Sequence, residues 1–455
     1  MDLHAKLHSK WRNGITGVVA KAMGIFGGVQ MLVILCGIVR VKIVAMLLGA
    51  TGVGLFMIFN NALTLLSTTT QLGLRTSAVR EVAVDKGIYS GVQLVRKWGL
   101  LLAAFGGVVT LIVSPLLSLY TFDDYSSTLL FMLLAPCVCL MATTTSEQAV
   151  MQGLNRLGQL AKSTVAGVAG GLILSLPLIY FLGFNCILPV IMAYALSAWA
   201  GTRFFRVKIS DGKPRMSLRM LWTQGKPMLR LGGYMTVAAT FTEVVNYVFT
   251  VYLTHAGGVE TVGIYQSGYT IVMRYVGMVF TALGVEYYPR LTAVCGHPLR
   301  QQVFIRHETV MLMLILCPLL AIFLPLSPLA VRLLYSSEFL DAVPYILAAA
   351  PGIVLRGYAW CLSFLMLARG DGSTYVLTEI LSDLIGLILN IVCYHYGGMA
   401  GLGLSFTLWY LIYAAMMTIV NIKLYKGKTS RMTTLVTSAV FVLISIISVT
   451  LIALF

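Results

Sequence analysis

Four basic side chains fall inside long apolar stretches of the sequence, namely Arg40, Lys42, Arg274 and Arg356. An ionised side chain at the centre of a bilayer costs about 2.5–3.5 kcal/mol, so it has to face water, a partner or a ligand. Because a guanidinium group can bind two phosphate oxygens at once, we predict that these cations line an internal cavity and bind an anionic ligand. The alternative is structural: Glu243 would neutralise Arg274, and Arg40 and Lys42 would extend toward the membrane surface.

Three carboxyl groups also lie within apolar stretches. Glu243 stands alone, whereas Glu379 and Asp383 are four residues apart, a spacing that puts them on one face of a helix. A carboxyl group inside a membrane transporter is a candidate for binding and releasing the coupling proton. The alternative is a buried salt bridge, and the sequence leaves this choice open.

The elements that position these groups are membrane-spanning helices. Of the 455 residues, 58% are hydrophobic and only 11% are charged, and the mean hydropathy is +0.89. A span needs about 20 apolar residues, and runs of that length recur along the chain. We therefore predict an all-α polytopic membrane protein. The expected spans are 21–48, 51–74, 98–120, 127–151, 163–183, 186–206, 232–255, 261–285, 308–325, 343–368, 373–395, 398–422 and 433–455.

The spans form two similar halves. The motif Val53-Gly54-Leu55-Phe56 returns 209 residues later as Val262-Gly263-Ile264-Tyr265, in each case before a membrane-length apolar run. Internal repeats of this kind are typical of transporters. We predict two pseudo-symmetric six-helix bundles plus one C-terminal span. The expected segments are an interfacial region at 1–20, bundles at 21–206 and 232–422, a basic linker at 207–231 and the extra span at 433–455.

The net charge of +16 reflects orientation in the membrane. Most of the 32 Lys and Arg residues fall in alternate loops, and the positive-inside rule assigns those loops to the cytoplasm together with the N-terminus. The basic excess then contacts anionic lipid, and we expect no nucleic-acid partner. The motif Gly427-Lys428-Thr429 ends like a phosphate-binding loop. Because Ile422 replaces the first glycine, we expect no nucleotide and no other cofactor.

Several short motifs resemble one family of membrane proteins. They are the Val-Gly-Leu-Phe motif and its repeat, Gln71-Leu72-Gly73-Leu74-Arg75, Ala78-Val79-Arg80-Glu81, Gln152-Gly153-Leu154-Asn155-Arg156 and Tyr288-Pro289-Arg290-Leu291. Over roughly residues 15–425 the chain resembles the polysaccharide flippases, which carry O-antigen or common-antigen units, of the multidrug/oligosaccharidyl-lipid/polysaccharide exporter superfamily. That family usually has twelve or fourteen spans, so thirteen is a departure.

The resemblance implies a function in lipopolysaccharide biosynthesis. The chain would be a multi-pass protein of the bacterial inner membrane that moves an undecaprenyl-diphosphate-linked oligosaccharide from the cytoplasmic to the periplasmic leaflet, by alternating access and proton-linked antiport. A polysaccharide polymerase and a chain-length regulator would be its protein partners. The cavity cations would bind the diphosphate and the sugars. Arg75, Arg80 and Arg290 would gather the lipid at the cytoplasmic mouth, or would simply anchor the helix ends.

Three alternatives remain. A multidrug or cation exporter of the same superfamily would favour an acidic, aromatic cavity, whereas the charges within these spans are more often basic. A peptidoglycan-precursor flippase also needs a cationic cavity, so charge does not separate it from the first interpretation. A membrane polysaccharide polymerase needs acid–base groups outside the membrane. The longest external segment, 326–342, offers few, so we expect the protein not to be an enzyme.

Overall fold

A computed structural model describes residues 2–84, 89–208, 218–294, 298–427 and 430–454. Within these ranges every regular element is a helix. The α-helices are α1 (Asp2–Thr70), α2 (Leu74–Val84), α3 (Tyr89–Phe122), α4 (Thr128–Met132), α5 (Ala135–Gly153), α6 (Leu157–Leu182), α7 (Ile187–Phe204), α8 (Leu218–Thr270), α9 (Met278–Val294), α10 (Pro298–Leu334), α11 (Val343–Ala368), α12 (Gly372–Lys423) and α13 (Arg431–Leu454). Short 3-10 helices occupy Gly183–Cys186 and Ser337–Ala342, and a π-helix occupies Ile271–Tyr275.

Nine helical stretches of the described residues are long and apolar enough to cross a membrane. Four of them, Met31–Thr70, Leu157–Phe204, Thr236–Phe280 and Gly372–Lys423, have 40 to 52 residues, whereas one crossing needs about 20. The all-α, multi-pass membrane fold predicted from the sequence is therefore confirmed. The count of twelve spans plus one stays a prediction.

The long helices break at positions that match between the two halves of the sequence. Gly49 (φ 64°) interrupts α1 and Gly258 (φ 81°), 209 residues later, interrupts α8. Gly183 (φ 53°, ψ −133°) and Gly398 (φ 54°, ψ −135°) form a second pair, 215 residues apart. Glycine adopts positive φ at little cost, so these residues mark sharp reversals of the chain. The sequence repeat thus has a counterpart in the backbone.

The turns after α5 and after α11 form a third pair, and they have the same backbone hydrogen bonds. After α5 the amide of Arg156 donates to the carbonyl of Met151, and after α11 the amide of Asp371 donates to that of Met366. The preceding residue has positive φ in both turns, 56° at Asn155 and 73° at Gly370. Both turns therefore end their helices in the same left-handed cap.

The chain divides into two compact units. The first comprises Met1–Leu48 and Phe59–Glu243, and the second comprises Gly49–Ile58 and Val244–Phe455. In the second unit α11 is buried along most of its length and packs against α10, α12 and α13. The boundaries expected from the sequence, at 21–206 and 232–422, stay predictions.

The glycines of the repeated motif lie at a helix crossing in the second unit. A Cβ atom on Gly54 would overlap the carbonyl oxygen of Val259, and one on Gly263 would overlap that of Ala50. These two glycines are equivalent in the repeat. Each motif therefore contains glycine because the two helical arms cross there with their backbones in contact.

Candidate substrate-binding site

Arg356 is a mid-helix cation held between aromatic rings in the second unit. Its guanidinium carbon lies 5.0 Å from the ring centre of Phe280 on α9 and 5.9 Å from that of Tyr410 on α12. Attraction to the ring faces offsets part of the cost of burying the cation. Its Nη1 atom is buried and has no hydrogen-bond partner among the described residues. Since an unused buried donor costs about 1–3 kcal/mol, a ligand that accepts this hydrogen bond would be favoured.

The π-helix Ile271–Tyr275 packs against α11, the helix that carries Arg356. It contains Arg274, whose side chain is exposed, and it leads to Gly277. A Cβ atom on Gly277 would overlap the carbonyl oxygen of Met273 and lie 3.5 Å from Nη1 of Arg356. Single π-helical turns are rare and often occur at functional sites. The two cations predicted for the second half therefore lie on adjoining segments.

The acidic candidates of α12 meet tyrosines. The hydroxyl of Tyr413 donates to Oε1 of Glu379 at 2.6 Å, and Asp383, one helical turn further on, is buried. In the described part of the chain, no Lys or Arg lies within salt-bridge distance of Glu379. The ring centre of Tyr410 lies 5.9 Å from the guanidinium carbon of Arg356 and 6.2 Å from the ring centre of Tyr413. The cation and the carboxyl groups are thus linked through tyrosines of one helix.

Further tyrosines extend this aromatic region. The Tyr265 ring lies 5.4 Å from that of Tyr345 and 5.7 Å from that of Tyr269. The hydroxyl oxygen of Tyr345 is buried and has no hydrogen-bond partner in the described ranges. Ligand pockets are typically lined by aromatic side chains with a few polar groups that fix orientation. This region of the second unit therefore combines ring faces and hydroxyl groups with the guanidinium group of Arg356.

The predicted cations of the first unit lie on α1. Arg40 is half-buried on α1, and its guanidinium carbon lies 4.8 Å from the ring centre of Tyr194 on α7. Lys42, two residues on, is also half-buried. A tyrosine face is a favourable neighbour for a cation inside an apolar helix bundle. The alternative, in which Arg40 and Lys42 extend toward the membrane surface, stays open for both residues.

Sequence reasoning missed an ion-pair cluster in the first unit. Glu147 of α5 is buried and accepts two hydrogen bonds from Arg96 of α3, one of them 2.8 Å long from Nε. The Nε atom of Arg206 lies 3.4 Å from the same carboxylate. Glu147 falls inside the predicted span 127–151, so the rule that flagged Glu243 would have found it.

The remaining candidates lie on separate elements. Arg75 is exposed in α2 of the first unit, and Arg290 is exposed in α9 of the second. The side chain of Arg80 lies outside the described residues. Glu243 is half-buried in α8 and is the last residue of the first unit. The roles of these four residues at the mouth and in coupling stay predictions.

Outside the spans, the pKa of one carboxyl group has a clear structural cause. Asp371 accepts a hydrogen bond from the amide of Thr374 at 3.1 Å and another from the hydroxyl of Tyr425 at 2.8 Å. The hydrogen bonds from Thr374 lower the pKa of Asp371, with a smaller contribution from Tyr425. Asp371 therefore stays ionised as the N-cap of α12.

Comparison with solved structures identifies the fold. An inward-facing multidrug resistance MATE family transporter of the MOP superfamily is 16% identical with a TM-score of 0.69, over 88% of this chain and 96% of that one. A MOP superfamily transporter from Pyrococcus furiosus is 17% identical with a TM-score of 0.59, over 90% and 95%. The lipid II flippase MurJ, in an inward closed conformation, is 11% identical with a TM-score of 0.60, over 94% and 99%. The fold is that of the MOP superfamily transporters.

The family follows from the sequence. Residues 19–294 match the family model described as polysaccharide biosynthesis protein, which is more than half of the chain. A search of curated protein sequences found no significant match. The chain belongs to the polysaccharide biosynthesis protein family, and the family predicted from its motifs is confirmed.

Proposed function

We propose that this protein is a flippase that moves an undecaprenyl-diphosphate-linked oligosaccharide, such as an O-antigen repeat unit, from the cytoplasmic to the periplasmic leaflet by alternating access. The observation that carries the proposal is Arg356, a guanidinium group held between two aromatic rings with one buried donor unused. Membership of the polysaccharide biosynthesis family supports a glycan as the cargo.

The chemistry of the second unit fits both parts of such a cargo. Arg356 and Arg274 would bind phosphate oxygens, because a guanidinium group matches them with two parallel N–H donors. Tyr410 and Tyr345 are buried in this conformation, and they would supply ring faces and hydroxyl groups for a sugar ring when the site opens. In the first unit, Arg40 and Lys42 would supply the same charge. The MOP fold also occurs in the flippase for lipid II.

Proton coupling would use the carboxyl groups. Glu379, hydrogen-bonded to Tyr413, and Asp383 are the strongest candidates, and Glu243 is the third. The membrane potential adds a driving force, since each charge that crosses 100 mV contributes about 2.3 kcal/mol. A diphosphate with about two negative charges would gain roughly 4–5 kcal/mol per 100 mV when it moves outward from a negative interior.

The proposed setting is the bacterial inner membrane, with the N-terminus in the cytoplasm and with a role in lipopolysaccharide biosynthesis. The asymmetric distribution of Lys and Arg supports this orientation. A polysaccharide polymerase and a chain-length regulator would then act on the cargo after translocation. Arg75, Arg80 and Arg290 would lie at the cytoplasmic mouth.

The test is transport of a labelled lipid-linked glycan in vesicles that contain the purified protein. Arg356→Ala and Arg274→Ala should each reduce the translocation rate at least tenfold, while Arg356→Lys, which keeps the charge without the planar fork, should retain part of it. The matched control is Arg431→Ala, which removes an exposed arginine at the start of α13. Full transport by a well-folded Arg356→Ala protein would refute the proposed site.

A multidrug exporter is the second candidate, and one observation favours it. The carboxyl groups of α12 stand among tyrosines, an arrangement that also suits an organic cation. In that case Glu379→Gln would abolish efflux of a cationic dye, and Arg356→Ala would leave it intact. The glycan assay and the dye assay on the same two variants separate the two functions.

A further inference from the structure

A groove runs between the end of α9 and the start of α10, away from the residues proposed to bind the glycan. It is lined by Val294, Leu299, Arg300, Val303, Phe304 and His307. Leu299 is 80% exposed and Val303 is 54% exposed. The lining is therefore apolar along its length, with a cation and a histidine as its polar members.

Phe304, which lines the groove, is packed against buried residues. The ring of Phe304 stacks on that of Tyr287 with 5.7 Å between centres and 9° between planes. Tyr287 is fully buried, and its hydroxyl donates to the carbonyl of Cys361 at 2.6 Å. Phe304, one wall of the groove, is therefore fixed by packing of α9 and α10 against α11.

The positive charge of Arg300 at the groove favours an anionic ligand. Arg300 lies in the first turn of α10, where the helix dipole is positive and a basic residue is unfavourable. That turn contains no acidic residue. No Asp or Glu of the described ranges lies within salt-bridge distance of Arg300. Arg306 adds a second positive charge to this end of α10, and Glu308 offsets part of it, so a bound anion would relieve the unfavourable placement of Arg300.

The position of the groove identifies the anion. Leu299–Leu334 is long and apolar enough to cross a membrane, and Arg300 is the second residue of this stretch. A crossing needs about 20 residues, so the ends of a 36-residue stretch can reach the level where lipid headgroups meet water. Basic pockets between helices at such a level bind anionic headgroups, and each basic residue near the surface contributes about 1 kcal/mol. An apolar channel beside the cation would accommodate an acyl chain.

We propose that this groove is a binding site for an anionic glycerophospholipid. One acyl chain lies along Leu299, Val303 and Phe304, and the phosphate binds Arg300 with His307 beside it. The site contains none of the residues proposed to bind the glycan, so the lipid proposal can be tested separately from the proposed transport function.

The experiment measures lipid binding to the purified full-length protein by native mass spectrometry. Phosphatidylglycerol should bind more tightly than phosphatidylcholine. Arg300→Ala should weaken phosphatidylglycerol binding about fivefold, the equivalent of the loss of one headgroup contact. Arg300→Lys should preserve binding, and Val303→Trp, which fills the channel, should abolish it without removing charge.

The matched control is Arg306→Ala, which removes an exposed arginine of the same helix that does not line the groove. An equal loss in Arg306→Ala would show diffuse attraction and overturn the proposal, as would unchanged binding in a folded Val303→Trp protein. Undecaprenyl diphosphate serves as the competitor. Complete displacement of phosphatidylglycerol by an equimolar amount would assign the groove to the carrier lipid and also overturn the proposal.

Discussion

Two charged sites, one in each unit, differ in how their charges are satisfied. In the first, the carboxylate of Glu147 is bound by Arg96 and approached by Arg206. In the second, Arg356 faces aromatic rings with a donor unused, and Glu379 accepts from a tyrosine hydroxyl. A buried charge that is fully paired holds a structure together, whereas one left partly unpaired is available to a ligand or a proton.

The paired charges of the first unit fasten the connection between the halves. Arg96 also donates to the carbonyl of Val207 at 2.8 Å, and the indole N–H of Trp98, two residues further along α3, donates to that of Leu221 at 3.2 Å. Leu221 and Trp98 belong to the same buried apolar cluster, together with residues of α2 and α5. Arg96 and Trp98, on one turn of α3, therefore hydrogen-bond to the backbone at Val207 and at Leu221.

The largest effect is expected from Glu147→Gln. The substitution leaves Arg96, whose side chain is 16% exposed, without a counter-charge. Breaking a buried pair costs about 3–5 kcal/mol, and the partial exposure of Arg96 places the expected cost at the lower end of that range. The unfolding temperature in detergent should fall sharply, and much less protein should be recovered from the membrane. A stability close to that of the unmodified protein would show that the arginines are neutralised by other means.

The same substitution in the second unit, Glu379→Gln, should behave differently. Glutamine can still accept the hydrogen bond from Tyr413, and no cation in the described ranges loses its partner. The free energy of unfolding should therefore change by less than about 1 kcal/mol. Stimulation of glycan transport by a pH gradient should instead disappear, because glutamine carries no proton.

The measurement is the transport rate in vesicles with and without a pH gradient. Asp383→Asn, on the same helix face, serves as the comparison that separates the two carboxyl groups. If Glu379→Gln keeps its full response to the gradient while Asp383→Asn loses it, coupling belongs to Asp383. If both variants keep their response to the pH gradient, neither Glu379 nor Asp383 exchanges the coupling proton.

The sequence predicted the helices more fully than the site. The expected span 343–368 coincides with α11, because apolar length is a local signal. The breaks at Gly49 and Gly258 fall five residues before Gly54 and Gly263 of the repeated motif, and the motif itself did not predict them. Arg356 and Glu379 were also predicted, since an ionisable residue within a span is conspicuous on its own. Their partners Phe280, Tyr410 and Tyr413 were not, because tertiary packing selects which aromatic rings meet a given charge.

Glu147 is a second case in which the sequence showed the charged residue but not its partner. Its residue type and its place in a span were visible, but Arg96 lies 51 residues earlier and was counted among the basic residues of a loop. Pairing over that distance depends on how α3 packs against α5, which apolar periodicity does not specify. Sequence reasoning therefore finds candidate charges more readily than it finds which of them are neutralised.

The smallest predicted effect compares the two matched turns that precede α6 and α12. Asp371 caps α12 by accepting from the amide of Thr374, whereas Arg156, its counterpart, makes no side-chain cap for α6. Asp371→Ala should therefore cost about 1 kcal/mol of stability, and Arg156→Ala should cost close to nothing. The measurement is thermal unfolding of both variants in the same detergent.

The pH dependence of that difference follows from the lowered pKa of Asp371. A carboxyl group whose pKa is lower in the folded than in the unfolded protein contributes its full stability above the unfolded value, and the contribution is lost as the pH falls through the folded value. The difference between Asp371→Ala and the unmodified protein should thus be constant near neutral pH and shrink in acid. A difference that does not change with pH would show that the cap acts without its charge. The contrast between the turns would then come from helix geometry alone.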